Sequence, residues 1–324
     1  MDFTIRPGQP VGTEVKRILA EQVDSAVTRL RDPGSAGAAV AVHEARKSCK
    51  RLRAVFRLVR PTISASRYRS LNAAVRDAAR ELSPARDAHA LVAMFDDLAK
   101  AHGIDPDGGE LSPARAALVD RAETVAHDGE GDGALVRALE RLELVGDTIA
   151  RTRIEGRDFR VLRKGLEATY RDGRRAFAEF EEERSPHLSH EWRKSVKYTW
   201  HHVELLEQAA PSLLAPVAEG LHSVSDALGD AHNLTVLIDL VLQAPARFGG
   251  LATAERLSKL ASESRNDLED RAVRLARRLY AERPREFTRR IRAYWRAAQL
   301  GAVLPTGELS DVAPASRAEN EEIS

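Results

Sequence analysis

One stretch of this chain is written twice. Residues 43–50 read H-E-A-R-K-S-C-K and residues 190–197 read H-E-W-R-K-S-V-K, an offset of 147 residues. A weaker echo follows each copy: Leu82-Ser83-Pro84-Ala85-Arg86-Asp87-Ala88 answers Leu228-Gly229-Asp230-Ala231-His232-Asn233-Leu234 at an offset of 146. Two echoes at nearly one spacing point to an internal duplication. Whatever architecture the first half adopts, the second must be able to adopt as well.

The pattern between breakers is helical. Apolar residues recur every three to four positions, and alternating β-branched runs are absent. The spacing predicts helices over about 10–31, 38–60, 64–81, 85–102, 112–127, 133–153, 158–182, 187–208, 213–227, 231–243, 251–280 and 284–299. Aromatics are only 5% of the chain, while unbranched residues that lose little rotamer freedom in a helix dominate. The expected fold is therefore all-α, with two similar helical bundles meeting near residues 150–157. That divides the chain into 1–152, 153–300 and an acidic, proline-bearing tail, 301–324, expected to be disordered.

The duplicated element is a cationic helix face. With His43 as zero and 100° per residue, Arg46, Lys47, Lys50, Arg53, Arg57 and Arg60 fall in an arc from about −100° to +40°, while Leu52, Val55, Phe56 and Val59 gather opposite. In the second copy His190, Arg193, Lys194, Lys197 and His201 share an arc, and Trp192, Val196, Thr199, Val203 and Leu206 face away. Trp200 stands where the first copy has Arg53, Tyr198 where it has Arg51, and Glu204 where it has Arg57. The second half is expected to bind more weakly, or through its tyrosine and histidines. Of eight lysines in the whole chain, four are Lys47, Lys50, Lys194 and Lys197, which occupy matching positions.

A solvated face ordinarily interleaves acids with its bases. Like charges 6–7 Å apart cost about 0.6 kcal/mol in water and about 2.5 at an effective dielectric of 20. Cations stacked on cations thus call for an anion, or for a nearby acidic segment such as Glu181-Glu182-Glu183. The net charge is only +1, so any basic site arises from segregation of charge. Further groups could join from Arg76, Arg86, Arg171 and Arg174, from Arg163-Lys164 and from the Tyr170 hydroxyl.

Other chemistries fit poorly. No metal is expected, because the position four after each histidine is Lys47 or Lys194 and not the second histidine of H-E-x-x-H. No carboxylate cluster for Mg²⁺, P-loop or activated nucleophile is legible, so neither a cofactor nor catalysis is expected. No apolar run approaches a membrane span and no signal peptide is legible. The lone Cys49 excludes an internal disulfide framework. A cytoplasmic protein is expected.

Taken together, V-H-E-A-R-K-S-C-K-R-L-R-A, R-x-L-R-K-G-L-E-A-T-Y-R-D-G-R-R, L-G-D-A-H-N-L, an opening F-T-I-R-P-G-Q and a closing E-R-P-R-E-F-T-R-R-I-R-A-Y-W resemble the CHAD family, the conserved histidine α-helical domain. The resemblance runs from about Phe3 to Ala298. It implies two four-helix bundles related by a pseudo-two-fold axis, with a basic surface and central pore that bind inorganic polyphosphate. By that likeness His43, Arg46, Lys47, Lys50, Arg53 and Arg57, with His190, Arg193, Lys194 and Lys197, would contact phosphates. Members are often fused to a CYTH triphosphatase domain, whose E-x-E-x-K strand motif is not seen here; a stand-alone module is expected. The combined expectation is a non-enzymatic polyphosphate binder, with polyphosphate granules and their proteins as its setting. The alternatives are a nucleic-acid-binding helical protein or an accessory enzyme of polyphosphate metabolism. Nucleic acid is disfavoured because base-reading amides and stacking aromatics are scarce on the basic helices.

Overall fold

The computed structural model describes residues 3–82, 84–129 and 133–303. Among these, all regular structure is helical. The α-helices are α1 (Val11–Arg31), α2 (Ala38–Val59), α3 (Ala65–Glu81), α4 (Pro84–Ala101), α5 (Ser112–Gly129), α6 (Gly133–Arg151), α7 (Arg160–Glu182), α8 (Pro186–Leu206), α9 (Pro211–Gln243), α10 (Leu251–Leu279) and α11 (Pro284–Val303). The tail expected from 301 begins inside α11, and from 304 onward it lies outside the described residues. Among the described residues no helix is long and apolar enough to cross a membrane.

Local chemistry sets the element ends. Ser185 caps α8 by accepting from the Leu188 N–H at 3.3 Å, with Pro186 in the first turn, where its missing N–H costs nothing. Ser64 caps α3 in the same way through the Arg67 N–H.

One expected boundary is absent. The helices read over 213–227 and 231–243 are a single helix, α9, running through Gly229-Asp230. An interior glycine costs about 1 kcal/mol. Leu221, Val224, Leu228, Leu234, Leu237 and Val241 form an unbroken buried row, and each contributes roughly 1.5–3 kcal/mol. Burial wins. In the first half the counterpart of Asp230 is Pro84, which has no N–H to continue a helix, so α3 ends and α4 begins there.

In the first half α1 packs on α2 and α6, and α3 on α2 and α6; in the second α8 packs on α7 and α9, and α9 on α10. Helix α2 also lies against α7 and α8, and α11 covers α7. Apolar packing does not stop at the boundary read near residue 152. One cluster runs from Ile5, Leu52 and Phe56 to Trp192, Val203 and Trp295. A second joins Leu91, Phe95 and Leu118 of α4 and α5 to Leu237 of α9 and Leu257 of α10.

Two close approaches tie the halves. A Cβ on Gly165 of α7 would overlap the Leu58 carbonyl of α2, and one on Gly12 would overlap the Ile154 carbonyl. Near the start of α1, buried Glu14 accepts from Arg6 and Arg17. Burial pushes its carboxyl up, but the bonds from both arginines outweigh this and hold it at about 2.

Gly165→Ala should destabilise the protein by about 3 kcal/mol or more, since backbone cannot yield as a side chain can. Gly301→Ala, at an open helical position, should be neutral or stabilising. Thermal melts of the two variants check the contrast. Glu14 lies below its unfolded value of 4.5, so its contribution is present above pH 4.5 and is lost as pH falls toward 2. Glu14→Gln should therefore lose about 1–3 kcal/mol at neutral pH and show less acid sensitivity over that window in denaturant titrations.

Candidate anion-binding site

The apolar arc of α2 is buried as the wheel predicts, through Ala45, Cys49, Leu52, Val55, Phe56 and Val59. The opposite arc is not uniformly open. His43 and Lys47 are exposed, while Arg46, Lys50, Arg53 and Arg57 are half-buried under neighbouring helices. There they find partners. Arg46 donates to the Ala79 carbonyl at 3.1 Å and pairs with Asp87 of α4 at 3.3 Å. Arg53 Nε donates to Asn72 Oδ1 at 3.1 Å. Arg57 pairs with Asp172 of α7 at 2.7 Å and lies over the Tyr198 ring. Lys47 stands 3.9 Å from Glu44. The stacked cations are thus offset in part by carboxylates from other elements. The acidic run 181–183 is not their source; its Glu181 pairs with Arg277 of α10.

On α8, Lys194 is exposed and pairs with Glu191 at 2.6 Å. Arg193 lies across Gly229 of α9 at ordinary contact distance, and the His190 ring sits 4.9 Å from that of His232. Both histidines are held neutral. Burial, then Lys194 and Arg193, push His190 down; burial, then Arg193 and His190, push His232 down to about 4. Asp87, the partner of Arg46, is near enough to oppose that shift at His232. Burial, then Asp226 and Asp97, push the Asp230 carboxyl up. The second sequence echo is therefore structural support for the first: 82–88 supplies Asp87, and 228–234 supplies Gly229, Asp230 and His232 around Arg193.

Further along, α2 and α8 contact one another. Arg51 pairs with Glu204 at 2.6 Å, Arg57 covers Tyr198, and His202 Nε2 donates to the Ala54 carbonyl at 2.8 Å. Subtracting 147 from Glu204 and adding 147 to Arg51 turns the first pair into the second. That is the contact pattern of two elements meeting about a two-fold.

This contact corrects one site assignment. His201 falls in the basic arc, yet it is only 3% exposed, bonded through Nδ1 to Glu204 at 3.0 Å and stacked on Trp200. Burial outweighs Glu204 and holds its pKa down. The wheel describes one helix, whereas Phe3 of the N-terminal segment packs edge-on against the His201 ring and α2 brings Arg51 onto its partner Glu204. Tyr170 is the second correction. It is 1% exposed, donates to the Leu279 carbonyl at 2.8 Å and stacks on Phe287. Its place on the α7 stripe with Leu166, Gly173 and Phe177 makes it core.

The remaining bases lie elsewhere. Arg76 is on α3, paired with its neighbour Asp77. Arg86 belongs to α4, and its side chain lies outside the described residues. Arg171 and Arg174 are exposed on α7 and face a groove of about 850 Å³ whose other wall is α11, with Arg285 and Arg289, and Arg283 just before it. The α11 arginines were not among the expected site residues. Their signal was present, since Arg285, Arg289 and Arg292 recur at helical spacing.

The family model of the CHAD domain matches residues 17–242, well over half of the chain. The chain belongs to the CHAD family. The crystal structure of the CHAD domain from the plant Ricinus communis is similar over 92% of this chain and 95% of that one, with a TM-score of 0.54. Sequence identity between the two is 18%, so the likeness speaks for a shared CHAD fold. A comparison with curated proteins gave no match. The matched CHAD segment contains both copies of the basic repeat and both echoes; α10 and α11 follow it.

The half-buried His232 carries a pH signature. Because the folded pKa of His232 lies below the unfolded 6.5, stability is full above pH 6.5 and declines as pH falls toward about 4. His232→Gln should flatten that part of a stability–pH profile measured by urea unfolding. An unchanged slope would mean that His232 is not held neutral.

Proposed function

We propose that this CHAD protein binds inorganic polyphosphate without turning it over. The supporting observation is the repetition of Lys47, Lys50 and Arg46 as Lys194, Lys197 and Arg193 on two helices that contact one another. The family is linked to polyphosphate. A phosphate chain offers about one negative charge per unit; lysine meets it as a point charge and arginine as a planar fork. The exposed pairs Lys47–Glu44 and Lys194–Glu191 are each worth roughly 0–1 kcal/mol, so a phosphate displaces them at little cost. Arg46, held between the Ala79 carbonyl and Asp87, is positioned before any ligand arrives. An anion beside His190 and His232 would favour their charged forms, so binding takes up protons. Polyphosphate granules are the setting this chemistry suits.

Calorimetric titration with defined-length polyphosphate tests the reading. Six to ten phosphate contacts imply a loss of roughly 10³–10⁵ in affinity between 50 and 200 mM salt, by analogy with DNA. Lys50→Glu with Lys197→Glu should abolish most of the binding while leaving helicity by circular dichroism intact. Absence of binding by the wild type would overturn the proposal. Release of orthophosphate in the presence of divalent metals would replace it with an enzymatic one.

A further inference from the structure

A second basic surface lies apart from the repeated motif, between α7 and α11. Its groove of about 850 Å³ adjoins another of about 580 Å³, and the two share Glu167, Arg171, Arg285 and Arg289. Together they form an elongated open trough, a shape for a linear anion and not for a compact cofactor. Arg163, Lys164 and Arg174 from α7, Arg283 just before α11, and Arg289 and Arg292 from α11 line it, and none of these six side chains has a carboxylate partner among the described residues. Acids are scarce there. Glu167 stands 3.7 Å from Arg285, and Glu286 turns back toward the Arg283 N–H.

This differs from other arginine-rich parts of the surface. Arg184 pairs with Asp270, Arg277 with Glu181, Arg256 with Glu110 and Arg137 with Glu81. Six unpaired cations along one trough repel one another. The first turn of α11, Pro284 to Glu286, also lines the trough and adds the positive end of a helix dipole. A multiply charged anion offsets both.

The trough is connected to the α2 stripe. Asp172 pairs with Arg57 of that stripe at 2.7 Å and stands 3.6 Å from Arg171, which lines the trough. A flexible chain leaving α2 past Arg57 therefore reaches Arg171 next. Resting on the polyphosphate reading, we infer that the α7–α11 trough is a second seat for a further stretch of the same phosphate chain, so that long chains are gripped at two places and short ones at one. The second contact is then intramolecular, and linkage alone raises avidity for long chains by about 10²–10⁴ over either seat.

Titrations with tripolyphosphate and with long-chain polyphosphate separate the two ideas. Wild type should bind long chains far more tightly than tripolyphosphate. Arg285→Glu with Arg289→Glu should remove at least tenfold of that gain and one tripolyphosphate site, leaving the site lost in Lys50→Glu with Lys197→Glu. The milder Arg285→Gln with Arg289→Gln should fall between. Arg121→Glu with Arg153→Glu, the same charge change on other exposed positions, should leave the gain in place. A folded trough variant with undiminished long-chain affinity would overturn the inference while sparing the polyphosphate reading. No binding of either phosphate by the wild type would overturn both. Loss of duplex DNA binding in the trough variant, with polyphosphate binding intact, would overturn it in favour of a nucleic-acid surface.

Discussion

How closely α2 can lie against α7 and α8 decides the rest of this structure. At Gly165 the α7 backbone meets the Leu58 carbonyl with no room for a Cβ, and nearby His202 reaches the Ala54 carbonyl. Side-chain packing tolerates small volume changes, whereas backbone against backbone does not. The contact fixes which part of each basic stripe stays at the surface. Arg51, Arg53 and Arg57 are half-buried and held by partners, while Lys47 and Lys194, nearer the N-terminal ends of the two helices, stay exposed.

Placement also converts a repulsive stripe into a held one. Guanidinium groups at three- and four-residue spacing would disperse in solvent; Asp87, Asn72 and Asp172 instead anchor them one by one from other helices. These partners neutralise only part of the charge. At the half-buried His190 and His232 and the buried His201, desolvation holds the imidazole pKa down. A desolvated cation beside other cations has no compensation without a ligand. The surface thus combines anchored arginines, the exposed lysines Lys47 and Lys194, and half-buried histidines whose pKa is held down.

The α7–α11 trough rests on another principle. Its lining carries more cations than acids: Glu167 meets Arg285 and Asp172 meets Arg171, while Arg163, Lys164, Arg174, Arg283, Arg289 and Arg292 have no carboxylate partner among the described residues. Its α11 wall follows the segment matched by the family model, and its connection to α2 runs through one aspartate shared by Arg57 and Arg171.

The sequence by itself determined the helical class, nearly all helix ends, the apolar and basic faces of α2 and α8, and the recurrence of the motif in both halves. These follow from short-range physics: periodicity, caps, and proline's missing N–H at Pro84. What it could not decide depended on which helix lies over which. Continuity of α9 through Gly229 needed the buried row that outweighs a glycine. His201 and Tyr170 read as surface groups until Phe3 and the Arg51–Glu204 pair closed over one and α10 and α11 enclosed the other. The carboxylate partners of Arg46, Arg51 and Arg57 come from 41, 153 and 115 residues away, beyond any local pattern. The arginines of α11 became a site only when folding set them opposite α7, because a binding surface is a property of two faces and a helix wheel describes one.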